Sequence, residues 1–167
     1  ADGRCKTLDE RADGYVRAEA CQSVIVDGTS EAPASSSCVS MVGSAVNQDG
    51  RSSSLTAPNG PSQQMVIQRA LQSAQMSPED VTGLQMHGTG TSLGDPVEVG
   101  ALSAVLLGSS HSQTPLALSA VKSCVGHSEA AAGLSGLLQL FGPLLMGTHS
   151  PLLHLRSVNP LVANVLD

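Results

Sequence analysis

Aromatic residues are almost missing from this chain: one Tyr, one Phe and no Trp in 167 residues. The core must therefore be built from Leu, Val, Ala and Met, with close helix–sheet packing in place of large ring anchors. Platforms for stacking unpaired bases are excluded on the same ground. Positive charge is scarce as well. Eight Lys and Arg stand against fourteen Asp and Glu, the net charge is −6, and no basic stripe is visible. Nucleic acid is not an expected partner. No apolar run reads as long enough to cross a bilayer, and the polar first residues carry no signal peptide, so no membrane partner is expected either. Cysteine is confined to positions 5, 21, 38 and 124, with no CxxC pair and no metal-like spacing to a histidine pair. The expectation is four free thiols in a reducing soluble compartment, cytoplasmic or within an organelle. An initiating Met is absent too, and a start at Ala-Asp-Gly-Arg reads as a fragment of something longer.

What is there fits one globular domain: 41% hydrophobic and 13% charged residues over a length that can bury a core. Alternation in 13–26, ending in an apolar run, predicts a strand. Residues 27–38, rich in Ser, Ala, Pro, Glu and Gly, read as a connection. Ser40–Asn47 predicts a second strand that runs into the turn Gln48-Asp49-Gly50-Arg51. A helix is expected from about Ser62 to Ala74, with Pro61 in its first turn. Val81–Met86 predicts a third strand. Asp95 reads as the N-cap of the next helix, Pro96 as its first residue and Glu98 as its capping-box partner, with Gly108 stopping it after Leu107. Leu116–Ser123 predicts a fourth strand. Ser128–Leu140 predicts a helix so poor in polar side chains that it should be buried on nearly all sides, ended or kinked by Pro143. The tail, Pro151–Asp167, is apolar, with a turn at Asn159-Pro160. Strands alternating with helices over short connections give an α/β fold with a mainly parallel sheet and right-handed crossovers.

Two stretches organise this pattern. Leu84-Gln85-Met86-His87-Gly88-Thr89-Gly90-Thr91 and Val121-Lys122-Ser123-Cys124-Val125-Gly126-His127 each read as a buried strand that delivers a histidine beside glycine, 40 positions apart. The carboxyl ends of parallel strands are the usual site in such folds, and Asn47, His87, Lys122 and His127 are all expected there. Neutral imidazoles aimed at a carbonyl oxygen stabilise the charge of an enolate or tetrahedral oxyanion. Lys122 would favour the same anion and lower the basicity of the histidines. Glu129 either pairs with Lys122 or simply places a favourable charge at a helix start. Thr89 and Thr91 either hydrogen-bond a polar ligand tail or satisfy backbone groups in a tight loop. Asn47 stands between the same two readings, with the turn preferred. A metal site at His87 and His127 lacks a carboxylate or thiolate at ligand spacing.

His87-Gly88-Thr89-Gly90-Thr91 with Gly94-Asp95-Pro96-Val97-Glu98 resembles the signature of β-ketoacyl synthases, in particular the ketosynthase domains of type I polyketide synthases. So does Lys122-Ser123-Cys124-Val125-Gly126-His127 with Glu129-Ala130-Ala131-Ala132-Gly133. Gly43 to Arg51, Leu55 to Pro61, Ala12 to Glu19, and Pro151 to His154 with Asn159-Pro160 are similar to the same family. The resemblance covers nearly the whole chain. It implies a thiolase-like fold, present in part, in which the helix after the second histidine is the buried central one. It implies decarboxylative Claisen condensation between an acyl group on an enzyme cysteine and a malonyl-type unit on an acyl carrier protein. His87, His127 and Lys122 match the family's two histidines and lysine. No cofactor would bind directly; substrates would be acyl and malonyl thioesters carried on phosphopantetheine, and the intact domain would be a homodimer.

The departures are informative. The family's nucleophile sits in a Thr-Ala-Cys-Ser-Ser-like turn that is absent here. Cys38 lies where the family has only a connection, and Cys124 stands where an Asn is usual, so neither is expected to be the nucleophile. The Gly-Phe-rich strand near the family's domain end is missing as well. The implied division is 1–26 as the end of the amino-side half, 27–39 as the connection, and 40–167 as most of the carboxyl-side half. Non-condensing relatives, malonyl decarboxylases or partners resembling chain-length factors, are the competing reading.

Overall fold

Two short parallel strands carry the architecture in this computed structural model, which describes residues 2–28, 39–50, 57–108 and 115–166. β1 is Gly83–Gln85 and β2 is Ala117–Ser119, in register Gly83↔Ala117, Leu84↔Leu118 and Gln85↔Ser119. The parallel pairing follows from the helical crossover between them. That crossover is α2, Gly94–Leu102, which continues as a π-helical stretch over Ser103–Leu107 and stops before Gly108 as expected. Before the sheet comes α1, Gly60–Ala74. Asn59 caps it by accepting the Ser62 N–H at 3.2 Å, Pro61 sits in its first turn, and Gln75 ends it in a left-handed conformation, φ 56°. The tail folds as α6, Pro160–Leu166, a helix that the apolar pattern did not announce.

The core lies between the sheet and α2, α1 and α6. Leu8, Met86, Val99, Leu102, Leu106, Ala120 and Val162 are buried there, with Ile67, Leu71, Leu84 and Leu118 packed around them. All are aliphatic or Met, as the dearth of rings requires. Asp9 ties the amino-terminal segment to the tail. Its fully buried carboxylate accepts the Arg11 side chain at 2.9 Å and the backbone N–H of Arg156 at 2.7 Å and of Ser157 at 3.2 Å. Those bonds, the Arg11 pair first, hold its pKa far below the ordinary carboxylate range.

The other elements differ from the expected pattern. Among the described residues, 13–26 and 40–47 form no strand. Their side chains alternate between half-buried and exposed positions, but no neighbouring strand supplies a ladder. The sole bridge along them pairs Arg17 with His127. The fourth predicted strand ends at Ser119, and its last residues coil instead into a helical turn, α3, Lys122–Val125. Ser128–Leu140 is a 3₁₀ turn, Glu129–Ala131, followed by α4, Ala132–Gln139. The helix breaks at Leu140, and α5, Phe141–Met146, carries Pro143 in its first turn.

α4 covers the far side of the sheet, and Gly136 packs so closely on Gln85 that an added Cβ would stand 3.2 Å from Gln85 Cγ. Only Ala132, Ser135 and Gly136 of α4 are buried, so the expectation of burial on nearly all sides is not met. Ala130 and Gly133 are exposed, and Leu137 is 39% exposed. The stretch Glu129–Met146, 18 residues of mean hydropathy 1.2, is long and apolar enough to cross a membrane by length and composition, contrary to the sequence reading. In this fold it is three helical pieces, of which α4 packs on β1.

Candidate functional site

The backbone after β1 turns through His87, Gly88, Thr89 and Gly90 and is bonded from several sides. Gly88 and Gly90 have φ of 48° and 77°, and a Cβ at Gly90 would lie 2.5 Å from the Lys6 backbone nitrogen. Only glycine fits there. Glu98 of α2 reaches back with both oxygens, accepting the His87 N–H at 2.6 Å and the Gly88 N–H at 2.9 Å. Asp95 accepts the Gly90 N–H at 3.1 Å and the Leu8 N–H at 2.8 Å. Thr7 donates its hydroxyl to the Gly88 carbonyl at 2.7 Å. Burial pushes both carboxyl pKa values up, against the lowering effect of these bonds. The expected capping roles of Asp95 and Glu98 are therefore corrected: the residue before α2 is Leu93, and both acids fix the histidine loop instead.

His127 does not sit at a strand end, since α3 intervenes between β2 and it. Its backbone pairs with the amino-terminal segment: its N–H donates to Val16 at 2.8 Å and its carbonyl accepts from Ala18 at 2.9 Å. Its ring is 5.0 Å from that of Tyr15 and 5.5 Å from that of His87, the two imidazoles standing nearly perpendicular at 87°. The Glu129 N–H donates to His127 Nδ1 at 2.9 Å. An accepting Nδ1 places the proton of the neutral ring on Nε2, so His127 offers an Nε2–H donor.

Lys122 is 4% exposed, and its Nζ donates to the His87 carbonyl at 2.7 Å. It thus lies behind His87, not behind His127. Burial lowers its pKa, with the charges of Glu98 and Cys5 opposing. Desolvation, then the Lys122 charge, then His127 push the His87 pKa down to about 4, although the ring itself opens to solvent. Desolvation and Lys122 lower His127 as well, with Glu129 acting the other way. Both rings are neutral at pH 7.

The two histidines line an open cleft of about 880 Å³, walled by α1 through Gln63, Val66 and Ile67 and by the loop carrying Thr89 and Thr91. The two threonine hydroxyls lie 3.4 Å apart, and Thr91 also accepts the Gly94 N–H at 3.1 Å. Glu129 pairs with Arg17 at 3.0 Å and not with Lys122. Asn47 is elsewhere: its amide donates to the Ser62 carbonyl of α1 at 2.6 Å. Tyr15 and Arg17 were not singled out from the sequence, although both fall in the Ala12 to Glu19 stretch that carried the resemblance. Cys5, Cys21 and Cys124 are free. Cys124 is exposed, with Ser123 Oγ at 3.8 Å and the Pro151 carbonyl at 4.0 Å from its sulfur, while Cys38 lies outside the described residues. Among the described residues no group of three or more His, Cys, Asp or Glu could hold a metal ion. The chemistry on offer is two neutral N–H donors at one cleft, with a buried ammonium behind His87: a site for an oxyanion.

Comparison with known proteins agrees in kind. The family model described as beta-ketoacyl synthase, C-terminal domain, matches residues 38–156. Polyketide synthase GfsA of Streptomyces halstedii is 48% identical over 156 residues, 92% of this chain and 2% of that protein. Pikromycin polyketide synthase component PikAIII of Streptomyces venezuelae is 46% identical over 156 residues, 92% of this chain and 10% of that protein. Among solved structures, the oxazolomycin ketosynthase domain OzmH KS7 of Streptomyces albus JA3453 superposes with a TM-score of 0.79 at 29% identity, covering 96% of this chain and 28% of its own. The ketosynthase from module 6 of the bacillaene synthase of Bacillus subtilis 168 gives a TM-score of 0.79 at 28% identity, with 96% and 29% covered. The fold is thus the thiolase-like one in part, and the chain spans a small fraction of these proteins.

Proposed function

Because the chain belongs to the β-ketoacyl synthase family, through its C-terminal domain, we propose that it forms part of a polyketide-type ketosynthase. The reaction would be decarboxylative condensation of an acyl thioester with a malonyl-type unit on the phosphopantetheine of an acyl carrier protein. Loss of carbon dioxide from the malonyl unit leaves an enolate. Its carbon attacks the acyl carbonyl, and the enzyme thiolate departs as the new carbon–carbon bond forms. His87 and His127 would donate to the enolate oxygen, and Lys122 would hold the His87 carbonyl and bias the site toward the anion. Thr89 and Thr91 would meet the carrier arm at the cleft, and Glu129 would serve His127 through its backbone.

The observation that carries this reading is the pair of neutral imidazoles 5.5 Å apart with a buried lysine bonded behind one of them. A non-condensing partner role has no use for that arrangement. We read residues 40–167 as most of the carboxyl-side half of the enzyme, 1–26 as the end of the amino-side half, and 27–39 as the connection. Homodimerisation of the complete enzyme and a reducing compartment belong to the same proposal.

The test offers acyl and malonyl carrier thioesters to the 167-residue chain, alone and with the nucleophile-bearing part of a polyketide ketosynthase supplied. Mass spectrometry should find a ketoacyl product only in the second case. Product from the chain alone, with an acyl adduct on Cys38 or Cys124, would overturn the assignment of roles.

A further inference from the structure

His127 is held by a stretch of chain that the condensation chemistry does not itself use. Val16 and Ala18 bond its backbone on both sides, and the Tyr15 ring lies 5.0 Å from its own. Gly126, at φ 82°, lets the chain press onto this stretch, since a Cβ there would meet Ala18 Cβ at 3.1 Å. Between these backbone anchors and the imidazole stands Glu129. It is not glycine, yet its φ is 48°, and in that left-handed turn its N–H points at His127 Nδ1. Its carboxylate meets the Arg17 guanidinium, Nε to Oε1, at 3.0 Å. Arg17 is also the residue bridged to His127 through the backbone.

We propose that Arg17 is a positioning residue for His127: by pairing with Glu129 it holds the left-handed turn whose N–H caps Nδ1, and so keeps the histidine an Nε2–H donor. A left-handed conformation at a residue with a Cβ persists only where its surroundings over-determine it. Were the Ser128–Glu129 peptide to rotate once Glu129 loses this anchor, the Glu129 N–H would swing away and leave Nδ1 free to take the proton. The ion pair is solvent-accessible at both ends, with side chains 76% and 50% exposed, so it adds little to global stability. Such a pair is suited to biasing a local choice between close conformers. The charged and titratable groups around His127 are Tyr15 and Arg17 from the amino-terminal segment, His87 from the loop after β1, Lys122 from α3 and Glu129 from its own turn. Of these, Arg17 is the group that both neutralises Glu129 and fixes its place.

The proposal rests on His127 acting as a donor, but its test needs no turnover, so the two readings fail separately. The chain is labelled with ¹⁵N-histidine, and long-range ¹H–¹⁵N spectra are recorded through a pH titration. The unmodified chain should show His127 as the Nε2–H tautomer. Arg17→Ala should give a mixture of tautomers and an upward shift of the His127 midpoint, because Nδ1 loses its donor and Glu129 loses its partner. Its urea midpoint should stay unchanged. The reversed pair Arg17→Glu with Glu129→Arg should restore the Nε2–H signature. Unchanged tautomer and midpoint in Arg17→Ala, loss of its fold, or no restoration by the reversed pair would each overturn the proposal.

Discussion

A histidine donates to developing negative charge only while its imidazole is neutral and its proton sits on the nitrogen that faces the substrate. The His87 pKa of about 4 meets the first condition across the neutral range. Because this value lies below that of an unfolded histidine, about 6.5, the unfolded chain binds the proton first as pH falls. His87 therefore takes stability away between about 6.5 and about 4 and is neutral in effect above that window. An NMR titration should place its midpoint near 4, and a midpoint at the unfolded value would contradict the packing described here. In a reconstituted ketosynthase, His87→Ala and His127→Ala should each slow condensation by about 100- to 1,000-fold, the usual effect of losing one oxyanion donor. Acyl transfer to the nucleophile should be comparatively intact, since the enolate charge arises only on decarboxylation. Equal loss of both steps, followed by mass spectrometry of the loaded enzyme and the product, would contradict that division. His87, His127 and Lys122 were legible in the sequence because glycine and an apolar run flank each site stretch. The bonding of Glu98 and Glu129 was not, because an acid near a helix start looks the same whether it caps its own helix or reaches across to another loop.

At the scale of elements, periodicity was a guide to α1 and α2, missed α6, and was only a partial guide to the strands. α1 could be read from the sequence because its cap, its proline and its apolar spacing are local. The strands needed neighbours: 13–26 and 40–47 keep the alternation of side chains but find no ladder, and the fourth strand yields to α3 once β2 has no further partner at Ser119. What joins the elements is also long-range. The amino-terminal segment threads against the glycine loop, and Gly90 is where the two backbones touch. Gly90→Ala would force a Cβ to within 2.5 Å of the Lys6 nitrogen at φ 77°, and backbone atoms do not move aside cheaply. The expected loss is about 2–4 kcal/mol from the left-handed backbone and the overlap together. Urea unfolding should report it as a fall in midpoint with unchanged slope. A variant as stable as the parent would show that the loop and the amino-terminal segment do not pack as described.

The whole molecule presents more apolar surface than a finished domain would. Ile25 is 99% exposed, Val46 89%, Val26 74%, Met146 72%, Met41 70% and Leu144 62%. These side chains cluster in sequence along the two ladderless segments and α5, and the outer side of α4 adds Leu137 at 39%. Monomeric proteins seldom leave such areas open, because water exacts a cost of about 25 cal/mol for each Å² of apolar surface. The cleft of about 880 Å³ opens beside the same histidines. The chain covers 28% and 29% of the two ketosynthase structures it superposes on, so those structures contain ample protein to bury these faces. The expected behaviour of the 167-residue chain in isolation is binding of the dye ANS and self-association that grows with concentration, read by fluorescence and by sedimentation velocity at two loadings. Adding the remaining part of a ketosynthase should reduce both, because strands along 13–26 and 40–47 would gain ladders and α4 a packing partner. A monomer that binds no dye at either loading would mean that the chain buries these faces by itself, and the reading of it as one part of a larger condensing enzyme would lose its structural basis.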